Sequence, residues 1–143
     1  MKLEFTVLGT PGPQGSKSFK GMAGGHAILA ESSKIVKPWR DSVMWCARQA
    51  LGKQPMITGP VVVDMIFTLK KPKSAPKKRR TWPKSAPDLS KLARSTEDAL
   101  TIAGVYEDDA RIVEYGRLAK VFPGEDVDAL SSPGCVIRIR GVE

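Results

Sequence analysis

Two aspartates near the middle of the chain, Asp88 and Asp109, are the residues whose type and spacing best suit chemistry. Asp88 precedes a helix predicted over residues 90–103, and Asp109 precedes a strand predicted over residues 110–121. Because both carboxylates lie at element ends, we expect a packed helix and strand to hold them close together. Two convergent carboxylates suit a hard divalent cation. Aspartate is also an ordinary helix-cap and turn residue, and the residues by themselves favour that role.

The helix predicted over residues 90–103 is amphipathic, which predicts how it faces the core. Its core stripe consists of residues spaced three and four apart, namely Leu92, Ala93, Thr96, Ala99, Leu100 and Ala103. Ser90 is predicted to cap the N-terminus and shares the opposite face with Arg94, Glu97 and Asp98. That face is polar and charged, so we expect it to point away from the core.

The remaining pattern predicts the other elements of one sheet. Alternating apolar residues predict strands over residues 2–8, 61–69 and 135–140. Helical spacing predicts a core helix from about residue 37 to residue 51, with Pro38 in its first turn. The Gly- and Pro-rich residues before it predict a long loop, in which His26 is a turn residue.

This order of elements predicts an α/β (α+β) fold, a mixed β-sheet with two helices packed against it. The length of 143 residues suits a single domain over residues 1–143. One sheet face and two helices make a thin core, so a homodimer that covers further apolar surface is predicted as well.

Composition restricts the classes of function. The net charge of +8 and a sequence pI of about 9.7 predict attraction to a polyanion. No apolar run reaches the ~18 residues of a membrane span, so we expect no membrane association and a cytoplasmic location. The single histidine, His26, and the two cysteines, Cys46 and Cys135, follow no zinc or catalytic spacing, and no nucleotide-binding loop is present. The class of chemistry that these exclusions leave open is metal-assisted phosphodiester hydrolysis without a small-molecule cofactor.

Basic residues are crowded into a proline-rich stretch, residues 70–84, called the basic segment below. Its prolines exclude an amphipathic membrane helix, so the segment predicts DNA phosphate contacts, with a solvated charge run as the alternative. The predicted contact residues are Lys73, Lys77, Lys78, Arg79, Arg80 and Lys84, together with Lys17, Phe19 and Lys20 of the first loop. For Phe19 the alternative is packing on the core. Trp82 either stacks on a base or holds the segment in place.

Other acidic residues have simpler predicted roles. Glu125, Asp126 and Asp128 lie in a turn-rich stretch and are predicted to form a solvated loop that offsets the basic surface, with a second metal site as the alternative. Asp64, a lone acid on a strand, is predicted to be paired or solvated.

The stretch over residues 87–120 resembles the RusA family of phage and bacterial Holliday-junction resolvases. The resemblance is carried by Asp88-Leu89, Leu92, Arg94, Asp98-Ala99-Leu100, Gly104, Asp108-Asp109 and Lys120. Three positions depart from the family pattern, which has Asp at Ser90, Asn at Lys91 and Lys at Arg94.

The resemblance implies a homodimeric endonuclease that depends on Mg²⁺, with Mn²⁺ as the alternative ion, and that resolves Holliday junctions or other branched DNA in recombination and repair. It implies a bacterial or phage-infected cell as the setting. It also implies catalytic roles for Asp88, Asp109, Arg94 and Lys120, with Asp88, Asp109 and Asp108 as metal ligands. Arg94 would act only through its charge, because a guanidinium does not release its proton at neutral pH. A non-catalytic branched-DNA-binding protein of the same fold is the alternative, since Ser90 lacks the carboxylate.

Overall fold

The structure is a computed structural model that describes residues 2–15 and 22–142. Along the chain it has β1 (Lys2–Leu8), α1 (Met22–Leu51), β2 (Val61–Thr68), α2 (Leu89–Ala103), a short 3-10 turn (Asp109–Arg111), β3 (Ile112–Val121) and β4 (Gly134–Gly141). These strands form one sheet in the order β1-β4-β2-β3. Only the β2–β3 pair is parallel among the described strands. The predicted mixed sheet with two helices is confirmed.

Both helices cover the same face of the sheet. Val63, Met65 and Phe67 of β2 belong to one buried cluster with Trp39 of α1 and Leu100 of α2. Burying a large apolar side chain of this kind contributes about 1.5–3 kcal/mol. A smaller cluster lies on the other face, so β2 is buried on both sides. This accounts for the nearly continuous apolar run of β2, which is typical of a central strand.

Helix α1 begins much earlier than predicted. It starts at Met22, so His26 lies in a helix and the prediction of a loop at this position is wrong. Pro38 lies inside the helix rather than in its first turn. Residues 27–36 include Ala, Leu, Glu and Lys, which are strong helix formers, and they outweigh the glycines and the missing backbone donor of Pro38.

Helix α2 follows the prediction closely. All six residues of its predicted core stripe are buried, and Gly104 ends the helix in the left-handed conformation at φ 82°. The N-cap, however, is Asp88 and not Ser90, because the carbonyl of Asp88 already accepts helical hydrogen bonds from the backbone of Lys91 and Leu92, both at 3.1 Å. Asp88 therefore marks where the helix begins.

The loop between β3 and β4 is held to the sheet by ion pairs. The Asp126 carboxylate accepts hydrogen bonds from Arg117 at 2.6 Å and from Arg80 at 2.6 Å. Only 4% of the Asp126 side chain is exposed. Arg138 donates to Asp128 at 2.6 Å. The prediction that Asp126 and Asp128 lie in a solvated loop is therefore wrong, because arginines of the strands pair with both residues.

The hydrogen bond from Arg117 is the main cause that lowers the pKa of Asp126, and the bond from Arg138 is the main cause that lowers the pKa of Asp128. Asp64 accepts a hydrogen bond from the Arg117 backbone at 3.0 Å, so its predicted pairing is confirmed. Within the described part of the chain, no helix is both long and apolar enough to cross a bilayer.

A buried hydrogen bond joins the two helices and gives a test of the packing. Trp39 Nε1 donates to Thr96 Oγ1 at 3.1 Å in the core. Thr96→Val removes the acceptor and leaves the indole N–H buried without a partner. We expect the free energy of unfolding in urea to fall by about 1–3 kcal/mol. As a control, Trp39→Phe combined with Thr96→Val should lose less than the sum of the two single changes, whereas additive losses would contradict a direct bond.

Candidate active site

The start of α2 presents an exposed carboxylate. The Asp88 side chain makes no capping hydrogen bond and is 62% exposed, with Lys91 Nζ at 3.8 Å as its ion-pair partner. The ammonium of Lys120, near the end of β3, donates to the carbonyl oxygens of Ser85 and Pro87, each at 2.9 Å. Lys120 therefore lies beside the start of α2. Because the Asp88 carboxylate does not cap the helix, it is available to a ligand.

The second carboxylate group lies where the chain enters β3. Asp108 accepts a hydrogen bond from the Ala110 backbone at 2.9 Å, which is the main cause that lowers its pKa. Interaction with the Asp108 carboxyl, first as a hydrogen-bond partner and then as a negative charge, raises the pKa of Asp109. Two neighbouring carboxylates repel each other when both are charged, and a divalent cation relieves that repulsion. The pair therefore has the chemistry to hold a metal ion.

Glu97 and Asp98 of α2 lie next to this pair. The charge of Asp98 contributes to the raised pKa of Asp109, and the charge of Asp109 contributes to that of Glu97. Burial is the largest cause of the raised pKa of Glu97, whose carboxylate accepts a hydrogen bond from the Tyr115 hydroxyl. These acids and Tyr115 were not among the predicted site residues. The signal in the sequence was weak, since Glu97 and Asp98 share a helix face with Arg94 and read as solvated charges.

Asp88 and Asp109 lie at opposite ends of α2 within one chain, so the expectation that they lie close together is wrong. Asp98, near Asp109, is ten residues beyond Asp88, which corresponds to about 15 Å of helix. Strand β3 separates them too, because it runs from Ile112 to Lys120 over roughly 26 Å. Among the residues described, no three acidic, histidine or cysteine side chains converge to hold an ion. The parallel pairing of β2 and β3 requires α2 to run back along the sheet, and this separates the two carboxylates.

The basic segment divides into bound and exposed residues. Thr81 and Lys71 bind Glu125, and Arg80 binds Asp126. The exposed cations, which form no ion pair with any described residue, are Lys70, Lys73, Lys77, Lys78, Arg79 and Lys84. Lys17, Phe19 and Lys20 lie outside the described residues. The basic segment therefore has a fixed side against the acidic loop and an exposed side that suits phosphates.

Exposed cations can bind DNA phosphates, and exposed carboxylates can hold the metal ion of a nuclease. The sequence matches the family described as endodeoxyribonuclease RusA over residues 9–140, which is nearly the whole chain. The chain therefore belongs to the RusA endodeoxyribonuclease family, and the resemblance seen in residues 87–120 is confirmed. No curated protein matches the chain.

The raised pKa of Asp109 predicts a pH-dependent stability. A raised pKa means that the folded protein favours the protonated acid, so ionisation of Asp109 destabilises the fold as the pH rises. In the absence of divalent ions, we expect Asp109→Asn to melt at a higher temperature than the wild type near pH 7. The difference should disappear at about pH 3, below the ordinary pKa of aspartate.

Asp41→Asn is the control for Asp109→Asn, because Asp41 is an exposed aspartate of α1 paired with Lys37. It should not raise the melting temperature. Equal melting temperatures for Asp109→Asn and the wild type near pH 7 would contradict the close approach of the acids.

Proposed function

We propose that this member of the RusA family is a Holliday-junction resolvase, a magnesium-dependent endonuclease that hydrolyses phosphodiester bonds in branched DNA. The observation that carries the proposal is the exposed, uncapped carboxylate of Asp88, with Lys120 beside it and the basic segment directly before it in the chain. A phosphate held by the basic segment lies next to an acid and an ammonium group. This combination suits phosphodiester hydrolysis and serves no purpose in capping α2.

The proposed ligands of the ion are Asp88, Asp109 and Asp108. Magnesium, when bound, polarises a phosphoryl oxygen and lowers the pKa of a bound water. Lys120 is held by two carbonyl oxygens and can stabilise negative charge that develops on the phosphate. Arg94 is exposed on the outer face of α2 and would contribute through its charge alone.

The separation of Asp88 from Asp109 supports a site shared between two copies of the chain. If two α2 helices pack antiparallel about a two-fold axis, the Asp88 end of one copy meets the Asp109 end of the other, and this happens twice. Exposed apolar surface on α2 and β3 supports such a contact. Three apolar or aromatic side chains of these elements are exposed, Ile102 at 50%, Val113 at 62% and Tyr115 at 42%, and β3 is an edge strand.

A non-catalytic branched-DNA-binding protein is the second candidate function. Ser90 lies in the first turn of α2, where the family pattern has an acid, so the Asp88 end of the site carries one carboxylate fewer. The two functions differ in a single measurement, the magnesium-dependent nicking of a synthetic four-way junction. A protein that binds the junction but never nicks it would support the second function.

Mixing two inactive variants tests the shared site. We expect Asp88→Asn and Asp109→Asn each to abolish junction nicking while junction binding persists, because each loses an anionic ligand but keeps the size of its side chain. After subunit exchange in an equimolar mixture, roughly a quarter of the wild-type sites should be active, since half of the dimers are mixed and one of their two sites is intact. Nicking rates under single-turnover conditions measure the recovery.

The control for this mixture is Asp88→Asn mixed with the double variant Asp88→Asn/Asp109→Asn, in which no intact site can form. If the first mixture stays as inactive as this control although sedimentation shows dimers, both carboxylates act within one chain. Wild-type nicking by either single variant would remove that aspartate from the site.

The exposed cations of the basic segment should carry the salt dependence of DNA binding. Replacing Lys77, Lys78 and Arg79 by Ala should lower the slope of log affinity against log salt by about 0.9 for each lost phosphate contact on duplex DNA. Arg48→Ala/Lys53→Ala is the control, because both residues are exposed at the far end of α1. Anisotropy titrations at several salt concentrations provide the slopes, and equal slopes for the triple variant and the wild type would show that the segment does not touch DNA.

A further inference from the structure

A cavity of about 820 Å³ lies between the basic segment, the start of the loop after β1 and Phe122, which directly follows β3. This volume falls within the range of about 300–1,000 Å³ that is usual for ligand pockets. Its lining includes the buried apolar side chains of Leu69, Pro83 and Phe122, and it extends to Pro87, the neighbour of Asp88. The cavity is therefore an apolar site directly beside one half of the proposed active site.

Trp82 provides a stacking surface in this cavity. The guanidinium of Arg80 lies 4.0 Å from the centre of the Trp82 ring and covers one face of it. Trp82 is nevertheless 54% exposed and lines the cavity together with Arg80, so ring surface remains available to a second planar group. An indole ring that is stacked on one face only is the arrangement that receives a flat aromatic ligand.

The chain that leads into Trp82 is fixed by bonds to two acids that do not line the cavity. Arg80 donates to Asp126 at 2.6 Å, and Asp126 is itself bound by Arg117 of β3. The backbone N–H of Thr81, the residue before Trp82, donates to Glu125 at 2.8 Å. Trp82 is thus held from its N-terminal side without help from a ligand, and a site that is already formed loses less conformational entropy on binding.

Charge identifies the chemical class of the ligand. Lys70, Arg79 and Lys84 are exposed cations that line the cavity, so an apolar interior is bordered by positive charge. A nucleotide in a DNA strand matches this arrangement, because a flat base lies between two phosphates. A base inside a duplex is stacked on both faces and is costly to extrude, whereas stacking is interrupted at a branch point, so a base there can be unpaired at lower cost.

We propose that the Trp82 cavity binds one unpaired nucleobase of the substrate, with the flanking phosphates on Lys70, Arg79 and Lys84. This inference rests on the proposed DNA substrate, and it adds a means by which branched DNA is distinguished from duplex. Stacking on Trp82 would favour a strand opened beside Asp88 over a strand that is fully paired.

The test compares binding to a four-way junction, a single strand and an uninterrupted duplex, all in a chelator so that cleavage plays no part. Trp82→Ala should weaken binding to the junction and the single strand by about 5- to 150-fold, the range of base–aromatic stacking. Duplex affinity and the salt slope should not change, because no phosphate contact is lost. Trp82→Phe keeps a ring and should restore most of the loss.

Trp45→Ala is the matched control, because Trp45 is 67% exposed on α1 and does not line the cavity. It should bind all three DNAs as the wild type does. A second measurement does not depend on affinity: an unpaired 2-aminopurine placed at the branch point should lose fluorescence on stacking with the wild type and keep it with Trp82→Ala. Should Trp82→Ala fail to fold, Trp82→Leu replaces it in both measurements.

Equal weakening of duplex and junction by Trp82→Ala would overturn the proposal, because Trp82 would then only hold the basic segment in place. Unchanged junction binding would overturn it too. Both outcomes leave the nuclease proposal standing, since nicking is measured separately. Conversely, a protein that prefers unpaired bases through Trp82 but never nicks DNA would contradict the proposed nuclease activity and support base binding in the Trp82 cavity.

Discussion

The ion pairs around Asp126 are the interaction on which the ligand-binding surface depends. Residues 69–88 contain no helix or strand, so backbone hydrogen bonds of regular structure cannot fix their position. Asp126 receives Arg80 from this stretch and Arg117 from β3, and it thereby ties an irregular segment to the sheet. A nearly buried carboxylate with two guanidinium partners keeps its charge, because each partner lowers its pKa.

The same pairs separate the cations of the protein into two groups. Arg80 and Lys71 are bound by acids of the β3–β4 loop, while Lys77, Lys78 and Arg79 extend into solvent. The acids of the β3–β4 loop thus leave the exposed positive charges unpaired, and they hold in place the basic segment that carries these charges. Because the exposed charges sit on a fixed backbone, their spacing is set before any phosphate arrives, which favours a defined binding register.

The local patterns in the sequence predicted most of the fold. Strand alternation and the core stripe of α2 were sufficient, since burial on one face repeats at a fixed period. Two features of the fold could not be predicted from the periodic spacing of apolar residues. The start of α1 was missed because glycines in residues 21–25 obscured a run of good helix formers. The Arg80–Asp126 pair was missed because it joins residues 46 positions apart.

The site residues remain a prediction, whereas the expected closeness of Asp88 and Asp109 within one chain was wrong. Asp88 and Asp109 do lie where α2 and β3 begin, as local signals indicated, but α2 holds them apart because it must return along the sheet between two parallel strands. A local sequence pattern does not predict the distance between the two ends of the connection from β2 through α2 to β3. Likewise, the proximity of Glu97 to Asp109 depends on how α2 packs and not on its own sequence.

The length of helix α2 therefore fixes the distance between the two acidic positions at its ends. The ten residues from Asp88 to Asp98 span about 15 Å, and in a pair of antiparallel helices that span would set the distance between two reaction centres. A distance that is set by a helix cannot be changed in small steps, because each added or deleted residue turns one end of the helix by about 100° relative to the other. Relatives with a different spacing between cuts should thus differ in α2 by whole turns, and the length of this one helix would be under stronger constraint than most of its side chains.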